Sequence, residues 1–219
     1  MPLRLLGIFS RLEDALLLCG GTLARCAESG IETMAVSLTC GAGPSQGASR
    51  AARLLSVSQL VYLDFGEALL DDIDGDSLRE AIGDLLRSFQ PDVVVTAGLG
   101  HARNQAAHPA ITAAFRQAQR AGSDSRPARL YWTTDPGDLD CTTVLDVRSQ
   151  LHRKLDAIRA HAAEPAPAVM GADANHEAQP LDREFYIRAH PRPWVTGIVE
   201  RGLFGGLAER AASVLRAAA

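Results

Sequence analysis

The chain has 219 residues, of which 47% are hydrophobic, 22% charged and 5% aromatic, with 19 Gly and 11 Pro. That length and balance fit one globular domain, able to bury a full core without disulfide staples. A net charge of −4 with no basic stripe excludes a general nucleic-acid binder, and no apolar run approaches the roughly 18–20 residues of a membrane span.

In chain order, Leu3 to Phe9 is a short apolar run that predicts a buried strand. A helix follows from about Glu13 to Glu28 and stops at Gly30. Thr33 to Thr39 predicts a second strand, Cys40 to Ala48 a Gly/Pro/Ser loop, Ser49 to Val57 a short helix and Leu60 to Leu63 a third strand. Asp76 is the predicted cap of a helix running to about Phe89, with Leu78, Ile82, Leu85 and Leu86 on its apolar face. Pro91-Asp92 then leads into the β-branched run Val93–Val95.

Residues 105 to 121 are Ala-rich and helical, with Pro109 in or near the first turn. Arg129–Thr133 and Thr142–Asp146 predict strands, and Asp146 is expected to cap a helix reaching about His161. Residues 164 to 181 have no apolar period and predict a long mobile loop within a single domain spanning 1–219. Phe185-Tyr186-Ile187 reads as a strand, and the chain ends in an Ala-rich helix. Strands alternating with helices predict an α/β fold, a Rossmann-like, mostly parallel sheet with helices on both faces. Ligands of such sheets sit at the carboxyl ends of the strands, which directs attention to Ser10–Asp14 and Ala97–Asn104.

Cys19, Cys26, Cys40 and Cys141 form no CxxC pair and no secretory signal precedes them. The expectation is a reduced, cytoplasmic protein whose cysteines are buried small hydrophobes. His108, His152, His176 and His190 read as ordinary surface or packing residues. Gly20 and Gly21 lie a full turn past the helix start, which argues for close packing and against a phosphate loop.

The stretch Phe9-Ser-Arg-Leu-Glu-Asp14, followed by Cys19-Gly-Gly-Thr-Leu-Ala24, resembles the first motif of the LmbE-like, or PIG-L, de-N-acetylase family. In that family a strand ends in Ala-His-Pro-Asp-Asp. A second motif, Gly-His-Pro-Asp-His in the family, is matched by Gly100-His101-Ala-Arg-Asn104. Further likenesses are Ser37-Leu38-Thr39, the helix Arg153–His161 and Leu203-Phe-Gly-Gly-Leu207. The resemblance implies a Rossmann-like domain with one zinc ion, acting on N-acetylglucosamine-type conjugates. It also implies a carboxylate base and a histidine that stabilises charge in the transition state.

Carried across, the resemblance makes Glu13 the base and His101 the charge-stabilising residue. It retains Asp14 as a metal ligand, while Arg11 and Asn104 stand where the family has its other two ligands. Arg11 and Asn104, with Arg50 (or Arg53) of the short helix standing in for the arginine that follows the family's glycine loop, are the expected substrate contacts. A guanidinium offers no lone pair to a metal and repels a dication. We therefore expect zinc, the cofactor of the family, to be absent or bound by a rewired set such as Asp14, His101 and His108. Arg11 is then the compensating charge for Asp14. Asp14 also fits an ordinary first-turn carboxylate, and Asn104 an ordinary helix N-cap.

Three functions follow: a diverged amidase or deacetylase of a small N-acylated, sugar-linked substrate; a non-catalytic homologue binding a sugar or anion; or a structural partner of an active relative. In each the partners are a small molecule or a related chain, with homo-oligomers an option, with no nucleic acid and no membrane span.

Overall fold

The computed structural model describes residues 2–39, 45–65, 74–100, 107–121, 127–162, 181–193 and 200–207. Its strands β1 (Arg4–Phe9), β2 (Glu32–Ser37), β3 (Gln59–Tyr62), β4 (Val93–Ala97), β5 (Arg129–Thr133), β6 (Thr143–Asp146) and β7 (Arg183–His190) form one sheet of order β3-β2-β1-β4-β5-β7-β6. The first five are parallel, and β7 runs antiparallel to both neighbours. Helices α1 (Leu12–Glu28), α2 (Gln46–Leu54), α3 (Gly75–Phe89), α4 (Ala107–Arg120) and α5 (Leu151–Ala162) complete the described architecture.

The central strands β1 and β4 are buried on both faces, which is why Leu5–Phe9 and Val93–Val95 read as apolar runs, whereas the edge strand β3 is only partly buried. Leu5, Phe9, Val93 and Val95 pack with α1, α2 and α5, whereas Leu6, Ile8 and Val94 pack with α3 and α4. Alternation along the strands sends adjacent residues to opposite layers.

Most element boundaries agree with the sequence reading, and the local differences have local causes. The second helix starts at Gln46, inside the expected loop, because the Ser45 hydroxyl accepts from Ala48 N–H and caps it. Asp74 caps α3, with Asp76 one step into its first turn. Asp146 ends β6, and its carboxylate accepts from Arg148 N–H ahead of a 3₁₀ turn, so the helix proper starts at Leu151. The expected loop over 164–181 and the C-terminal helix lie outside the described residues, but for residue 181 itself. Leu203 and Leu207 are buried in the α1 layer, and Phe204 packs partly buried against it. Cys19 and Cys26 are buried too, and burial pushes the Cys26 thiol up to about 12.

Candidate functional site

Strand order reverses between β1 and β4, so the crevice beyond their carboxyl ends is the ligand position of this architecture. The first wall is Ser10 and the start of α1. Thr39 donates to the Ser10 carbonyl through both its backbone N–H (3.0 Å) and its hydroxyl (2.9 Å), while Ser37 donates to the Thr39 carbonyl at 2.6 Å. The Ser37-Leu38-Thr39 motif thus pins the turn from which α1 departs. The second wall begins at Gly98, where a Cβ would stand 2.3 Å from the Thr133 carbonyl oxygen. Only glycine permits that approach of the chain leaving β4 to β5.

Arg11 is the N-cap residue of α1, half-buried, in extended conformation, with no side-chain bond to the helix start. Glu13 and Asp14 fill the first turn, where the helix dipole favours carboxylates. Asp14 is 6% exposed, whereas the Glu13 side chain is 48% exposed at the rim. Glu13 Oε1 lies 3.3 Å from Nε2 of His161, in the last turn of α5. Burial opposes ionisation of Glu13. The hydrogen bonds from His161 and its own amide, with the charges of His161 and Arg11, outweigh it and hold the carboxyl below its ordinary value.

The structure brings together Arg11, Glu13, Asp14 and His161. Arg50 is exposed on α2, and His101 and Asn104 lie outside the described residues. His108 is buried in the first turn of α4, its ring edge-on to Trp132 at 4.5 Å, and burial lowers its pKa despite a hydrogen bond to the Ala97 backbone. It is a packing residue, as the sequence suggested. Sequence reasoning missed His161 as a partner of Glu13, although the motif containing it had been noted. Nothing local marks a contact between residues so far apart in the chain.

A polar brace behind the site was also invisible in sequence. Both Glu184 oxygens enter the α1 helix ladder, accepting from Gly21 N–H and Thr22 N–H at 2.8 Å each. Lys154 of α5 donates to the same carboxylate at 2.8 Å, and Tyr186 at 3.0 Å. A Cβ on Gly21 would sit 2.6 Å from Val147, so the Cys-Gly-Gly-Thr motif keeps α1 open to Val147 and to Glu184.

Zinc takes thiolate, imidazole and carboxylate donors. At the end of β1 this chain offers Arg11, which has no donor lone pair, and among the described residues no three His, Cys, Asp or Glu side chains lie together as a metal-holding group. Of the three positions that the resemblance gives to the zinc ion, the described residues include Arg11, which offers it no donor, and Asp14, which does, while Asn104 lies outside them.

Five parallel strands, a reversal of strand order between β1 and β4 and helices on both faces define an open, mostly parallel α/β fold. The chain belongs to the PIG-L family, whose profile, described as GlcNAc-PI de-N-acetylase, matches residues 7–119. The 1D-myo-inositol 2-acetamido-2-deoxy-alpha-D-glucopyranoside deacetylase of Rhodococcus jostii is 28% identical over 93% of this chain and 98% of its own. The protein of that name from Tsukamurella paurometabola is 33% identical over 64% and 62%. The chain is thus a homologue of de-N-acetylases, which hydrolyse a carbon–nitrogen amide bond.

Among solved structures, the conserved protein TT1542 of Thermus thermophilus superposes with a TM-score of 0.68 at 22% identity, over 88% of this chain and 97% of that one. The N,N'-diacetylchitobiose deacetylase of Pyrococcus horikoshii gives 0.64 at 16% identity, over 88% and 87%. The 4-carboxy-2-hydroxymuconate hydratase of Pseudomonas putida gives 0.63 at 19% identity, over 89% and 99%. These likenesses establish the fold, and the hydratase among them shows that the fold alone does not fix the reaction. Among the described residues no helix is long and apolar enough to cross a membrane.

Proposed function

We propose that the crevice beyond β1 and β4 binds an N-acylated amino-sugar conjugate, and that zinc-dependent hydrolysis there is weak or absent. The observation carrying this reading is Arg11 at the end of β1, where the family resemblance implies a metal-binding histidine. The family architecture and the acidic helix start remain, while the charge at that position is fixed on a side chain. In this reading Arg11, Asn104 and Arg50 donate hydrogen bonds to the ligand. Asp14 is the buried counter-charge, Glu13 accepts a hydrogen bond or proton from the ligand, and His101 has the charge-stabilising role that the resemblance implies. The reading takes residues 1–219 as one domain, set in the cytoplasm, with no nucleic-acid partner.

The test is calorimetric titration with 1D-myo-inositol 2-acetamido-2-deoxy-α-D-glucopyranoside, paired with an acetate-release assay with and without added zinc. Saturable binding, with acetate release indifferent to zinc, is expected. Failure to bind, or release that rises in step with bound zinc, overturns the reading.

A further inference from the structure

From the geometry we infer that His161 is a positioning residue of this site, holding the Glu13 carboxylate at the crevice rim for contact with the ligand. This role rests on the reading above that the crevice binds an amino-sugar conjugate. Three observations carry it beyond an ordinary surface ion pair, which commonly contributes nothing measurable.

The first is asymmetry of burial. The His161 side chain is 19% exposed against 48% for Glu13. The imidazole is therefore the fixed member of the pair and the carboxylate the one presented to solvent. The second is the ring's other nitrogen: Nδ1 is buried without a hydrogen-bond partner among the described residues. The contact to Glu13 is thus what His161 gains from being placed there. The third is the frame. Lys154 and His161 are seven residues apart, about two turns, and so share one face of α5. Lys154 holds Glu184, which holds Gly21 and Thr22 of α1, while His161 meets Glu13 near the start of α1. Two polar contacts along one helix face fix α5 against α1, and the outer one ends at the crevice.

Each side chain also sits at the helix end that suits its type, the acid in a first turn and the basic imidazole in a last turn. A glutamate left to itself at a helix start samples several rotamers. One held from behind by an imidazole spends less entropy on meeting a ligand hydroxyl or amide.

The test titrates the full chain and the variants Glu13→Gln, His161→Ala, His161→Gln and Glu13→Gln/His161→Ala with the same inositol conjugate, with melting temperatures recorded alongside. Expected are losses of about tenfold in affinity for Glu13→Gln and for His161→Ala, as for one charge-assisted hydrogen bond. The double variant should be no weaker than either single one. His161→Gln, which keeps an N–H donor, should recover much of the loss. Unchanged affinity in His161→Ala, losses that multiply in the double variant, or His161→Gln as weak as His161→Ala each overturns the role. A wild-type chain that does not bind the conjugate instead overturns the reading of the crevice, and the role falls with it.

Discussion

The Nζ of Lys154 lies 2.8 Å from Oε1 of Glu184, and both side chains are 1% exposed. Lys154 is the chain's only lysine, and it is spent in the interior, joining α5, β7 and the middle of α1.

Removing one member of such a pair strands a charge in the core. Lys154→Ala is expected to cost about 3–5 kcal/mol of unfolding free energy, read by urea denaturation. Lys154→Met combined with Glu184→Gln should recover part of that loss, because no charge is then left alone. An amine-acylating reagent should spare Lys154 in the folded chain and modify it in urea, as peptide mass mapping would show.

Two helical glycines should respond to alanine with opposite signs. At Gly83 of α3 a new Cβ meets only the flexible end of Arg87 at 3.2 Å, so Gly83→Ala should stabilise by up to about 1 kcal/mol. At Gly21 the Cβ would stand 2.6 Å from Val147, and Gly21→Ala should destabilise by about 1–3 kcal/mol as an overpacked core. Thermal melts of the two variants decide it.

Acidification should weaken the fold through His108 and His190. Burial lowers the pKa of each, with the charge of Arg116 adding to the effect at His190. The unfolded chain binds these protons more tightly, so this part of the stability is full above the ordinary histidine value of about 6.5 and is lost as pH falls through it. Denaturation midpoints at about pH 7.5 and pH 5 should differ less in His108→Gln than in the parent.

Metal content separates this chain from the mechanism its resemblance implies. Protein purified without chelator or nickel should carry no stoichiometric zinc by mass spectrometry. Arg11→His with Asn104→His restores the family's donors beside Asp14 and should bind about one zinc per chain. A double variant that stays metal-free would show that the pocket has changed beyond its ligands.

The amino-acid sequence by itself determined the parallel α/β order, because Val93–Val95 and Leu3–Phe9 are apolar runs of strand length and α3 shows helical periodicity. It also placed Arg11 just after the end of β1, since a strand's end is a local feature, whereas the reversal of strand order between β1 and β4 was decided by packing. The parts of the site that depend on contacts across the chain were not legible. That Glu13 meets His161, that Glu184 enters the ladder of α1, and that the last long strand, β7, runs antiparallel between β5 and β6 were decided only by packing. Local propensity acts over a few residues, whereas the partners of a buried charge are chosen by whichever distant groups the fold brings within about 3 Å. A lone lysine in an amphipathic helix looks solvated until the tertiary structure gives it Glu184.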